Sequence, residues 1–205
     1  MTVITQSSAE AAIAIGSVST LTAGNLYSIS SLSDLNKLAS LVNSGQASNC
    51  TFILTGDIDM ANSPGYIPIG TDGHKFMGTF YGNGHVISNV SISQSGTSGI
   101  GIFGVTGNTA RILDLGVENA TVSGKDYTGV IVGNSAGTIT NCYVKGNVNV
   151  NGNSYVGAIT GQATNTIASS YTSGNINING SGYVGGLAGF INSSVRNSFV
   201  QDVNV

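Results

Sequence analysis

The residues best equipped for chemistry lie between positions 57 and 85. Asp57 and Asp59 flank Ile58, and Asp72 and His74 follow beside Lys75. Carboxylates two residues apart on an extended segment face the same way, a spacing that suits Ca²⁺ or a sugar. The same acids can instead accept backbone N–H groups where the chain turns into its next segment. Asp57, Asp59, Asp72 and His74 are therefore the ligand candidates, and His85, in Gly-Asn-Gly-His beside a turn, reads as a packing residue. Gly99-Ile-Gly-Ile-Phe-Gly104 spells the dinucleotide-binding glycine pattern. That pattern needs a strand before it and a helix after it, whereas the following Val105-Thr-Gly-Asn-Thr is turn chemistry. Cys50 and Cys142 are too far apart in sequence for a metal spacing and read as packed side chains, with a single bridge as the alternative. No Ser-His-Asp, Cys-His or His-Glu-x-x-His arrangement is present. The expectation is a protein that is not an enzyme, with no catalytic residue, cofactor or metal.

What must position these residues is a repeat. Tyr127-Thr-Gly-Val-Ile-Val-Gly133 recurs as Tyr155-Val-Gly-Ala-Ile-Thr-Gly161 and Tyr183-Val-Gly-Gly-Leu-Ala-Gly189, each time 28 residues on. Ile139, Ile167 and Val195 keep that register, as do Tyr143, Tyr171 and Phe199. Asn147-Val-Asn-Val-Asn151 is answered by Asn175-Ile-Asn-Ile-Asn179, and a looser unit begins near Gly99. Alternation of β-branched and small polar residues marks half-buried strands. One such unit cannot bury its own core, but stacked units share a continuous one. The fold class is therefore all-β, a parallel β-solenoid. Stacking about 4.8 Å apart would set Val148 over Ile176 and Val150 over Ile178 inside, with Asn149 over Asn177 outside.

The composition agrees. Charged residues are only 7%, against 27 Ser, 19 Thr, 22 Asn and 30 Gly. Columns of like charge would repel one another, whereas stacked Asn amides can bond along the column. A net charge of −3 with six Lys plus Arg gives no basic footprint for nucleic acid. No apolar run approaches the ~18–20 residues of a membrane-spanning helix. The first basic residue is Lys37, so no charged stretch precedes Ala11–Ile15 and no secretory signal is read.

Before the clear repeats, Thr51–Thr55, Tyr66–Ile69 and Phe76–Ile92 read as strands, the last with a tight turn at Gly82-Asn83-Gly84. One helix is expected, at about 33–43. Ser31 and Ser33 can cap it, Leu35, Leu38, Leu41 and Val42 recur at helical spacing, and Gly45 stops it. Such a helix would cover the first coil. The expected organisation is an arm over 1–24 and a solenoid over 25–205, with clear repeats from about 99 to 205. The last residues, Val203-Asn-Val205, read as uncapped strand. Two readings stay open for that end. A neighbour's arm or N-terminal face docks there, building a head-to-tail filament through Val3, Ile4, Ile13, Ile15, Val200, Val203 and Val205, or a further repeat continues the stack.

The repeats resemble the GLUG motif, whose Gly-Leu-any-Gly core stands as Gly186-Leu-Ala-Gly189. Gly129–Gly133, Gly157–Gly161 and Gly101–Gly104 are variants of it. The helix Ser33–Val42, Leu54-Thr-Gly-Asp-Ile-Asp59, Pro68-Ile-Gly70 and Phe80–Asn89 also resemble what accompanies such repeats, so the likeness covers about residues 26–205. It implies a right-handed parallel β-helix from a secreted or surface-bound bacterial protein of the adhesin or filamentous-haemagglutinin kind, used as stalk or binding surface. The expected function is then structural or adhesive, outside the cell or on its surface. The expected partners are copies of itself end to end and a host or cell-surface glycan or protein, with no membrane insertion. A carbohydrate-binding or carbohydrate-active β-helix is the rival, in which Tyr127, Tyr155 and Tyr183 would form a sugar-binding stripe rather than a packing column.

Overall fold

The structure, a computed structural model, describes residues 11–46, 49–61, 63 and 65–205. Nearly every strand pairs in parallel with a strand about one coil further along the chain, and the result is a β-solenoid with three long sheets. The first sheet runs Ile13–Ala14, Leu26–Ile29, Thr51–Leu54, Thr79–Tyr81, Arg111–Leu113, Thr138–Thr140, Ile167–Ala168 and Val195–Arg196. The second runs Ile58–Asp59, Val86–Ser93, Gly116–Ser123, Tyr143–Asn151, Tyr171–Asn179 and Phe199–Asn204. The third runs Phe103–Thr106, Val132–Ser135, Thr160–Ala163 and Ala188–Ile191, with a small pair, Val156–Gly157 and Val184–Gly185, beside it.

Over the clear repeats the 28-residue register is the register of the sheets, with a shift at two bulges. Tyr143 pairs with Tyr171, Val148 with Ile176, Asn149 with Asn177 and Val150 with Ile178. Tyr171 pairs with Phe199, and Ile139 with Ile167 and then Val195. Val148, Val150, Ile176 and Ile178 are buried, as alternation requires. Each such side chain contributes about 1.5–3 kcal/mol by leaving water. The N-terminal half fills its interior with rings instead. Tyr27, Phe52, Phe76 and Phe103 follow one another at 5.7, 5.7 and 5.0 Å, and Phe80 meets Phe103 edge-on at 5.1 Å.

The helix spans Leu32–Asn43. Ser31 Oγ accepts the Asp34 N–H at its start, while the Asp34 carboxylate accepts from Ser30 N and Oγ. At its end, Gly45, at φ +88°, donates to Val42 O and Gln46 donates to Leu41 O, the paired closure that a left-handed residue permits. Ser33 lies inside the first turn and is not the cap. Leu35, Leu38, Ala39, Leu41 and Val42 are buried. The helix connects two first-sheet strands, so in that coil it takes the place of the second- and third-sheet strands. Asn43 ties it down, donating to Pro68 O and accepting from Gly70 N.

Three expectations need correction. The solenoid begins before residue 25, because Ile13–Ala14 pairs with Tyr27–Ser28. Ile15 is not an assembly residue. The 3₁₀ turn Ile15–Ser17 packs it fully buried in the chain's own core, against the helix. Tyr66–Ile69 forms no strand. Ile69 alone bridges to Phe103, since Pro68 carries no N–H for a ladder. Val3 and Ile4 lie outside the described residues.

Candidate functional site

The expected acids serve the framework. Asp57 Oδ1 accepts the Val86 N–H at 3.0 Å and lies 3.1 Å from His85 Nδ1, both on the following coil. Asp59 Oδ1 accepts from Ala61 N and from Asn89 Nδ2, at 2.9 and 3.0 Å. These donors hold both carboxyls below the usual carboxylate range: Val86 N–H before His85 for Asp57, and Asn89 before Ala61 N–H for Asp59. Asp72 and His74 stand apart in an exposed excursion closed by Thr71 N–H to His74 O and His74 N–H to Thr71 Oγ1. Among the described residues, no three His, Cys, Asp or Glu side chains converge.

The cysteines are buried. Cys50 Sγ donates to Thr22 O at 3.3 Å. Cys142 occupies a corner column with Ser170 and Ser198. Its Sγ donates to Thr140 O, as Ser170 Oγ does to Ala168 O and Ser198 Oγ to Arg196 O. The thiol thus does a serine's structural work, and burial pushes it up to about 12, far from the reactive range.

The repeat glycines are explained by contact rather than by turn conformation. Gly129, Gly157 and Gly185 stack in one column, Gly133, Gly161 and Gly189 in another, and none has positive φ. A Cβ on Gly157 would stand 2.5 Å from Ala188 Cα, and one on Gly161 would stand 2.5 Å from Thr128 N and Tyr127 C. Successive coils touch backbone to backbone here, which leaves no room for a side chain. Gly101 and Gly104 of the dinucleotide-like pattern belong to the same packing, with Gly129 O 2.7 Å from a Cβ on Gly101. The strand Phe103–Thr106 and then a turn follow, with no helix.

Two aromatic columns run along the outside. Tyr127, Tyr155 and Tyr183 stack at 4.8 and 5.1 Å with interplanar angles of 13° and 20°. Tyr143, Tyr171 and Phe199 stack at 5.3 and 4.9 Å, with angles of 15° and 4°. A sugar packs on the face of a ring. In these columns the inner rings, Tyr155 and Tyr171, have both faces spent on their neighbours, so the geometry supports packing over a sugar stripe.

At the last coil, the interior columns emerge. Val200 and Val205 are 47% and 69% exposed, while Val203 is half-buried. At the other rim, Ile13 is 39% exposed on the first-sheet edge, beside the helix. A neighbour's last coil stacked there would meet one strand among the described residues, and a helix where the other two sheets would continue.

No family model matches the chain. Halomucin of Haloquadratum walsbyi is 37% identical over 138 residues, 62% of this chain and 2% of halomucin. A provisionally named Gly-rich membrane protein of Evansella cellulosilytica is 33% identical over 102 residues, 46% of this chain and 12% of that protein. The chain thus spans a small part of the curated relatives it matches. Among solved structures, a Bacteroides ovatus protein with the provisional name immunoglobulin A1 protease superposes with a TM-score of 0.66 over 89% of this chain and 78% of its own, at 19% identity. This likeness establishes the β-helix fold that the chain shares.

Proposed function

We propose that this chain is a non-catalytic β-solenoid of the cell surface or the extracellular space, built of GLUG-type coils and used as a stiff structural and adhesive element. The observation that carries the reading is the outward registration of neutral side chains, coil upon coil: Asn147 with Asn175, Asn149 with Asn177 and Asn204, Asn151 with Asn179. Such a surface is long, uncharged and indefinitely extendable by further coils. The names of the two relatives, a halomucin and a Gly-rich membrane protein, fit a surface location. The protease name of the structural neighbour brings no residue with it at 19% identity. End-to-end self-association belongs to the same reading, through Val200, Val203 and Val205 wherever no further coil stacks on them.

The test is exposure on the cell. An antibody against residues 127–205 should label intact cells of the source organism or precipitate the protein from the medium. Label that appears solely after permeabilisation overturns the proposal.

A further inference from the structure

The outer face of the second sheet is the most regular surface of the molecule. Ser91, Thr121, Asn149, Asn177 and Asn204 form one column, and Ser93, Ser123, Asn151 and Asn179 form the next. Beside them, Asn175 Nδ2 donates to Asn147 Oδ1 at 3.4 Å. Asn204 donates to Asn177 at 3.1 Å and Asn177 to Asn149 at 3.4 Å, a continuous run of amides. A carboxamide has two N–H groups and two lone pairs. Asn177 uses one of each and keeps one donor and one acceptor for a ligand, while the amides at the ends of each run keep more. The column positions recur about 4.8 Å apart along the axis and about 6.6 Å apart along a strand.

The face is also nearly neutral. Left-handed residues Asn89, Asn119, Gly146, Gly174 and Asp202 stack in a bulge column, with φ of 53°, 56°, 91°, 110° and 55°. The acid and base at mid-face, Glu118 and Lys145, neutralise each other at 2.9 Å, which leaves Asp59 at one end, held by Asn89, and Asp202 at the other. A polyanion finds no attraction here, and neither does a cationic peptide along most of the length.

We propose that this face binds a neutral, hydroxyl-bearing linear polymer, a polysaccharide chain lying along the solenoid axis. Each hydroxyl both gives and takes a hydrogen bond, which matches the unused donors and acceptors that these amides present. Single contacts of this kind are weak, and affinity accumulates through repetition along the chain. The inference rests on the surface reading above and supplies its ligand class.

The test is native electrophoresis through gels containing galactomannan, xyloglucan or mixed-linkage β-glucan, with alginate as the polyanion. The chain should be retarded by at least one neutral polymer, not by alginate, and raised salt should leave the retardation unchanged. The variant Asn149→Ser/Asn151→Ser/Asn177→Ser/Asn179→Ser should lose it by about tenfold or more. Serine already stands in these columns at Ser91, Ser93 and Ser123, so the fold should persist. Should that variant not fold, Asn149→Thr/Asn177→Thr is measured instead, Thr121 being the precedent. Tyr183→Ser should retain binding. Passage through every neutral gel without retardation overturns the proposal, as does equal retardation of the variant, retardation by alginate alone, or loss in Tyr183→Ser. A protein that labels intact cells yet is never retarded sinks the polymer assignment alone, and label confined to permeabilised cells sinks both.

Discussion

Glu118 and Lys145 are register partners on neighbouring strands of the second sheet, with Lys145 Nζ 2.9 Å from Glu118 Oε1. One coil away on either side the same column holds Ser88 and Ser173. Opposite charges are thus placed where stacking makes them attract, and a serine stands on either side of the pair. Lys145 also stands 5.2 Å from the centre of the Tyr143 ring.

This cluster should make the fold sensitive to alkali. The hydrogen bond to Glu118, then Tyr143, raises the Lys145 pKa, and burial raises that of Tyr143. Both groups hold their protons more tightly folded than unfolded. Their stabilisation is therefore complete below the ordinary values of ~10 and is lost as pH climbs through the raised ones. Denaturant melts on either side of that window should show wild type losing more stability than Glu118→Gln. At neutral pH a double-mutant cycle over Glu118→Gln and Lys145→Gln should give a coupling of about 0.2–1 kcal/mol, since both side chains are partly wet.

Thr128 points a hydroxyl with no hydrogen-bond partner into the core. Its column neighbours are Ile100 and Val156, followed by Val184. Thr128→Val keeps the shape and removes the unsatisfied group, so it should stabilise by about 1 kcal/mol, or about 2–4 °C in Tm by calorimetry.

Gly161→Ala should be among the most damaging single changes. Its methyl would stand 2.5 Å from the backbone of Tyr127 and Thr128, atoms that no rotamer change can move. A loss of about 3 kcal/mol or more is expected. Gly96→Ala meets nothing within 4 Å and has no left-handed backbone, so it should stay within about 0.5 kcal/mol. Urea midpoints of the two proteins decide it.

Asp57 and Asp59 should matter for acid stability and not for calcium. Their pKa values lie below the ordinary carboxylate value, so the stabilisation is present above that value and fades as pH falls through the lowered ones. Asp57→Asn/Asp59→Asn should melt lower than wild type at neutral pH and converge with it in acid. Titration with Ca²⁺ should give the same negligible heat for both proteins.

Asn149→Asp/Asn177→Asp would place like charges about 4.8 Å apart. Repulsion of about 1–3 kcal/mol is expected at neutral pH, relieved by salt and by acid, and either single variant should cost much less. Chemical melts at two salt concentrations would read the difference.

Much of this fold was legible because a solenoid writes its contacts into the sequence. Val148 and Ile176 stack because they are one coil apart, and the repeat distance is also the pairing register. The helix was equally readable from Ser31, its apolar spacing and Gly45. Ile13–Ala14 was not, since a two-residue strand and a three-residue turn have no period to detect. The roles of Asp57 and Asp59 were half legible. Their partners, Val86 and Asn89, lie 29 and 30 residues on, in coils that depart from the 28-residue spacing and so hide the match. The repeat glycines were conspicuous, but their cause, backbone touching backbone, is visible only once the coils are stacked.

The register has a consequence for how such a protein can vary. Tyr143, Tyr171 and Phe199 share a column because these two circuits consume the same length of chain. Loss or gain of one whole circuit would leave every column continuous, whereas a few added residues must be absorbed in a loop or bulge, as between the register partners Thr79 and Arg111. Length in this architecture is therefore counted in circuits, and unequal recombination between near-identical units could lengthen or shorten the rod without inventing a new contact.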